Sequence, residues 1–156
     1  MSVMTDIWAA VAGEFSDIAD IREATIVCVR LGLAVALGAA IGYEREARGK
    51  DAGLRTHMLV SLGAAIFVLV PVASEMDAGA VSRVMQGVVA GIGFLGAGAI
   101  LKQEKDQVVK GLTTAASIWV AAAVGLSAGY GRVATAVVST LIALFVLGVL
   151  GRLGKR

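Results

Sequence analysis

Long apolar runs alternate with short charged gaps along the whole of this 156-residue chain. Runs at residues 24–42, 54–74, 84–101, 111–128 and 133–150 each approach the length that crosses a bilayer, about 20 mostly apolar residues. Backbone groups in hydrocarbon must be satisfied within their own segment, so runs of this length predict helices rather than barrel strands. The expected fold is all-α, a polytopic bundle of five spans in one domain over residues 24–156. The connections are short, so sequential helices should be antiparallel neighbours. Composition agrees: the chain is 58% hydrophobic with a mean hydropathy of +0.84, more apolar surface than a soluble domain of this size can hide.

Residues 1–23 follow a different pattern. Ile7, Trp8, Val11, Phe15 and Ile18 repeat at helical spacing, with Asp6, Glu14, Asp17 and Asp20 elsewhere around the wheel. This predicts an amphipathic surface helix. It lacks the basic start of a signal peptide and is expected to stay attached. An acidic face gains nothing from anionic lipid, so docking on the bundle or on a partner is the expected role.

Charge sets the orientation. Arg45, Arg48, Lys50, Arg55, Lys102, Lys105, Lys110, Arg152, Lys155 and Arg156 fall on one side; Arg22, Arg83 and Arg132 fall on the other. The basic side is cytoplasmic by the positive-inside rule, which puts the N-terminus outside and the C-terminus inside. Net charge is only +2, so the basic residues read as topology determinants and no nucleic-acid partner is implied.

The chain matches itself when displaced by 58 residues: Leu37-Gly38-Ala39 on Leu95-Gly96-Ala97, Glu46 on Glu104, Gly53-Leu54-Arg55-Thr56 on Gly111-Leu112-Thr113-Thr114. The unit is a two-span hairpin. An even number of spans repeats in the same orientation, with sites expected where the halves meet; shared Gly/Ala/Leu bias is the alternative explanation. Glycines gather at Gly38 and Gly42 in the first span and at Gly87, Gly91, Gly93, Gly96 and Gly98 in the third. Such residues let helices approach closely in lipid, either within the subunit or across a homodimer seam. The stretch 91–96 also fits GxGxxG, but lies mid-span with no preceding strand and is no dinucleotide site. Cys28 is the only cysteine; it reads as a small buried side chain, with a cross-chain disulfide as the alternative.

Two polar groupings are candidate sites. Arg30 lies inside the first span, where it either snorkels outward toward Glu23 or pairs with Gln86. The cytoplasmic mouth gathers Glu44, Arg45, Glu46, Gly53, Arg55, Thr56, His57, Thr113, Thr114 and Ser117 beside helix N-termini. Capping by Thr113 or Thr114 and pairing of Glu44 with Arg45, Arg48 or Arg55 form one reading. A shallow pocket for an anion or a carboxylate-held metal is the other, with Glu44 and Glu46 as candidate Mg²⁺ ligands. His57 reads as a hydrogen-bonding residue, since a lone histidine makes no zinc site. No carboxylate lies deep in a span, unlike most ion pumps, and no motif indicates an enzyme or a resident cofactor.

The run from Ile41 to Lys50 (IGYEREARGK), Ala52 to His57 (AGLRTH), Gly91 to Ile100 (GIGFLGAGAI) and Lys110 to Trp119 (KGLTTAASIW) resemble, in order and spacing, the MgtC/SapB family of bacterial membrane proteins. The resemblance implies a multi-pass protein of the bacterial inner membrane, linked to growth under magnesium limitation or acid stress. It implies a modulator of other membrane proteins, such as the ATP synthase or ion transporters. A transporter or channel for Mg²⁺ or another small solute is the rival, and a cytoplasmic anion or nucleotide sensor a third reading. Membrane lipid and a homodimer are the expected partners. Virulence-type relatives carry a soluble C-terminal domain, and this chain reads as a short form without one.

Overall fold

The computed structural model describes residues 3–14, 20–103 and 108–150. Helix α1, Val3–Glu14, buries none of its residues. Its apolar positions Ile7, Trp8 and Val11 stay exposed, so of the two expected docking sites, bundle or partner, the bundle does not cover them; Phe15, Asp17 and Ile18 of the same pattern lie outside the described residues. Helices in lipid gain no hydrophobic drive from touching one another, so an apolar stripe alone does not fasten α1 to a lipid-facing surface.

Helix α2, Ile21–Ala47, outruns its apolar stretch at both ends because polar groups hold the extra turns. The Asp20 carboxylate accepts from the Glu23 N–H at 2.8 Å, and Glu44 pairs with Arg48 one turn on. Helix α3, Leu54–Ala73, tolerates the single proline near its end. Helix α4, Ala78–Gly98, starts six residues before its predicted edge. Asp77 there accepts from the Ala80 N–H at 3.0 Å, so Ser82 and Arg83 are helical although too polar to count as span. The same helix stops at Gly98, short of the predicted residue 101, and a small antiparallel ribbon of β1, Leu101–Gln103, and β2, Val108–Lys110, follows, with Leu101 opposite Lys110. Glu104 and Lys105 lie outside the described residues. Helix α5, Leu112–Gly129, and helix α6, Val133–Phe145, complete the bundle, and α6 runs into a π turn, Val146–Leu150. Arg152, Lys155 and Arg156 also lie outside the described residues. By length and composition α2, α3, α4 and α5 can each cross a membrane; α6 is apolar but shorter. The protein is a helical membrane bundle.

Helix α5 is the hub, packed on α2, α3, α4 and α6. Glycine decides the closest crossings. A Cβ on Gly125 would strike the Ser61 carbonyl, and one on Gly129 the Ala65 carbonyl, so α5 lies backbone to backbone along α3. On α2, a Cβ on Gly38 would come 2.6 Å from the His57 carbonyl oxygen and one on Gly42 2.7 Å from the Leu54 Cα, so these two do pack within the subunit. A Cβ on Gly96 would lie 3.7 Å from the Ala115 Cβ. The other glycines of the third span do not pack inside: Gly87, Gly91, Gly93 and Gly98 face open space, and Gly87 and Gly91 line a groove of about 650 Å³ between α3 and α4 with Leu59, Gly63 and Phe67. Cys28 is exposed rather than buried, because α2 turns Ala34, Gly38 and Ile41 inward instead.

The repeat has a counterpart in the packing. Gly53 and Gly111 are equivalent under the displacement, and each precedes the first residue of a helix, α3 and α5. Gly38 meets His57, and their equivalents Gly96 and Ala115 also meet. The two equivalent helices α3 and α5 run side by side in the same direction, as an axis along the membrane normal requires.

Candidate functional site at the basic end of the bundle

At the C-terminal end of α2, one carboxylate serves two guanidinium groups. Glu44 Oε2 accepts from Arg45 Nε at 2.5 Å and also lies 2.5 Å from Arg45 Nη2. Arg48 Nε lies 2.5 Å from Glu44 Oε1, as an ion pair without hydrogen-bond alignment. The pairing is forced by burial: the Arg45 side chain is 3% exposed, and a charge removed from water needs an opposite charge beside it. Arg48 is less buried and reaches across to donate from Nη2 to the Gly148 carbonyl at 2.6 Å, one of the outward-facing acceptors of the π turn after α6. Two cations against one anion leave this cluster net positive.

The next carboxylate does a different job. Glu46 Oε2 accepts from the Leu54 N–H at 2.8 Å, so it caps α3 from the preceding helix. Gly53 makes this approach possible, since a Cβ there would lie 2.6 Å from Glu46 Oε2. The expected threonine caps are absent: α5 is preceded by Gly111 at φ +93°, with no side-chain cap. A Cβ at Gly111 would also collide with the Ala99 carbonyl. One turn into α3, His57 is fully buried and bonded at both ring nitrogens, Nδ1 to the Gly53 carbonyl at 2.8 Å and Nε2 to Ser117 Oγ at 2.9 Å. Ser117 Oγ in turn donates to the Thr114 carbonyl at 2.8 Å. The hydrogen-bonding role expected of His57 is the one observed, and it ties α3 to α5.

Other candidates stand apart. Arg55, Thr56 and Thr113 are exposed and belong to none of these contacts. Thr113 faces a groove of about 660 Å³ between α5 and α6, while Thr114 is buried. The groove at Thr113 takes in Ser117 but none of the other eight residues. The residues do not fit a resident Mg²⁺ either: Glu44 is held by two guanidinium groups and Glu46 by a helix N-terminus. Among the described residues no group of three or more His, Cys, Asp and Glu is placed to hold a metal.

At the opposite end, Arg30 donates from Nη1 to the Gly129 carbonyl at 3.1 Å; of its two expected directions this is the outward one, taken up by a backbone carbonyl, and not the pairing with Gln86. The last carbonyls of α5 form the negative end of that helix and are an acceptor a guanidinium can satisfy without leaving the subunit. Gly131, at φ +90°, leaves room for it, since a Cβ there would lie 2.6 Å from Arg30 Nη2. Gln86 is exposed and donates to Ser82 Oγ, one turn back on α4, at 3.4 Å.

Residues 31–156 match the MgtC family. This chain belongs to it. Similar relatives include protein SrpB of Synechococcus elongatus, 44% identical over 137 residues that make up 81% of this chain and 75% of SrpB. The putative magnesium transporter YhiD of Escherichia coli K12 is 42% identical over 135 residues, 82% of this chain and 62% of YhiD. Protein MgtC of Salmonella typhimurium is 43% identical over 111 residues, 71% of this chain and 46% of MgtC. The chain thus spans about half to three quarters of these relatives. No solved structure matches it.

The match to the MgtC family takes in the whole Glu44–Arg48 cluster and the His57–Ser117 link, and begins one residue after Arg30. Sequence reasoning missed three residues within it. Gly125 and Gly129 form a GxxxG pair in the fourth span, the same signal noticed in the first and third. Ser61 has no such signal; it sits between Gly38 and Gly125, wholly buried, and its hydroxyl has no hydrogen-bond partner among the described residues.

Proposed function

We propose that this chain is a non-enzymatic modulator of other membrane proteins in the bacterial inner membrane, acting in Mg²⁺ homeostasis under magnesium limitation or acid stress. Its basic end faces the cytoplasm, with the N-terminus outside, as the distribution of Arg and Lys favours. The observation that carries the reading is the middle of the bundle. Between His57 and Arg30 the buried layer is mostly Ala34, Ala65, Ala121, Val124, Ala128 and Ala136; the hydroxyls of Ser61 and Thr140 are also buried in the bundle, and no ionisable side chain among the described residues enters this layer. A route for Mg²⁺ needs oxygen ligands along its length, and two isolated hydroxyls do not supply one. The charged groups at the basic end hold one another and helix ends, which suits a rigid surface presented to a partner such as the ATP synthase or an ion transporter.

Transport remains the rival because YhiD carries the name of a putative magnesium transporter and the repeat is of a kind transporters use. The sensor reading rests on the paired starts of α3 and α5, and Glu46 already occupies the first of them. One experiment separates the first two. The chain is cross-linked in bacterial membranes and extracted natively, and in parallel is reconstituted alone in vesicles loaded with a Mg²⁺ dye. Modulation predicts a co-purifying membrane protein and no flux. Flux from the chain alone, abolished by Glu44→Ala, would overturn it.

The open glycines of α4 favour a homodimer through that helix. Gly87→Leu with Gly91→Leu is expected to leave the subunit folded, because a Cβ at either position meets nothing within 4 Å, and to shift a cross-linked dimer to monomer. A dimer that survives both changes would place the seam elsewhere.

A further inference from the structure

Two grooves run between helices of the bundle, and they differ in chemistry. The α3–α4 groove is lined by apolar side chains and glycine alone. The α5–α6 groove, about 660 Å³, is mostly apolar but opens at the basic end beside polar groups. Its lining falls within residues 112–123 on α5 and 139–147 on α6 and the π turn. At 1.5 Å per residue the α5 stretch is about 16 Å long, about half the depth of the hydrocarbon core. The groove therefore starts where α5 starts and ends near the midplane, and it spans one leaflet. Lipid is the solvent on this face, so an acyl chain is the natural filling, and its headgroup then sits at the mouth.

The mouth is basic. Lys110 is exposed two residues before Leu112, the first groove residue of α5. Arg48 donates to the Gly148 carbonyl, next in the chain to the groove residue Leu147. It turns Nε to Glu44 and Nη2 to Gly148, and among the described residues Nη1 has no partner. Glu44 is already shared with Arg45 and leaves the cluster net positive. Thr113 adds an exposed hydroxyl, whereas the Ser117 hydroxyl is committed to His57 and Thr114. No carboxylate lines the groove.

We propose that the α5–α6 groove binds one anionic phospholipid, its acyl chain along Ala116, Val120 and Ile142 and its phosphate between Lys110, Thr113 and Arg48. A zwitterionic lipid with the same chains fills the groove equally well but brings a cation to a basic mouth. Headgroup charge, not chain burial, then sets the preference. Helix α6 is shorter than the four helices that can cross a membrane, and a lipid seated here fastens it to the hub helix. A modulator and a transporter would bind it alike.

The full-length protein in detergent is given equal amounts of phosphatidylglycerol and phosphatidylcholine with identical chains, and retained lipid is read by native mass spectrometry. One phosphatidylglycerol per chain is expected, favoured roughly twentyfold. Lys110→Gln should lower that preference to roughly fivefold, since each basic residue near a lipid surface contributes about that factor. Ala116→Phe enters the groove from an exposed position and should lose the bound lipid. Gly63→Phe, in the α3–α4 groove, should keep it with the same preference. Equal retention of the two lipids would overturn the proposal, and so would a preference untouched by Lys110→Gln. If Ala116→Phe keeps its lipid and turns a dimer into a monomer, the groove belongs to a second copy and the lipid site is wrong. Should Ala116→Phe fail to fold, Ala143→Leu fills the same groove from α6, with loss of the lipid expected and its retention overturning the site.

Discussion

Removing the Glu44 carboxylate is expected to destabilise the bundle by about 3–5 kcal/mol, the cost of leaving a buried charge without its partner. Arg45 is the charge at stake. Its side chain is 3% exposed and pairs with Glu44, whereas Arg48 is partly in contact with solvent and keeps the Gly148 carbonyl. Thermal unfolding in detergent checks this with Glu44→Gln, which keeps the volume and removes the charge. Two controls sharpen it. Arg45→Met alone removes the buried cation, so Glu44 keeps Arg48 and the loss is smaller. Glu44→Gln combined with Arg45→Met leaves no buried unpaired charge, and stability is expected to recover above that of Glu44→Gln alone. A double variant as unstable as the sum of the singles would show that the pair is not coupled.

The second large effect is expected at the α3–α5 crossing. Gly125→Leu or Gly129→Leu drives a side chain into a backbone carbonyl, Ser61 in one case and Ala65 in the other. A backbone cannot rotate away as a side chain can, so each substitution is expected to cost at least the 1–3 kcal/mol typical of overpacking. The two together should prevent assembly, read as loss of the folded peak in size exclusion. Gly63→Ala reverses the sign. Nothing lies within 4 Å of a Cβ there, and alanine is better than glycine in a helix by roughly 0.5–1 kcal/mol. Equal effects at Gly125 and Gly63 would mean that helix propensity, not contact, governs both.

The bundle was legible because lipid imposes a length, and four runs of that length with a shorter fifth stand out. Their ends were less legible, since caps rather than hydropathy place them. Asp77 starts α4 ahead of its apolar run, and Asp20 does the same for α2. The ribbon at residues 101–103 and 108–110 joins two spans through a stretch with no turn signal to announce it. At the site, the charge pairs of Glu44 and the hydrogen-bonding role of His57 could be read from residue type and spacing. The acceptors of Arg30 and Arg48 could not, because Gly129 and Gly148 offer only backbone carbonyls, and a carbonyl has no sequence signature. The glycines of α4 read like those of α2, yet only the fold shows which face an interior neighbour.

Arg30 also bears on how the chain is made. Ribosomal synthesis delivers α2 to the bilayer before α5, so the Gly129 carbonyl that receives this guanidinium arrives about a hundred residues after it. During that interval Arg30 lacks its acceptor and has reason to reach for the headgroup layer instead. Insertion of α5 would then draw it back, so that a late helix completes the anchoring of an early one.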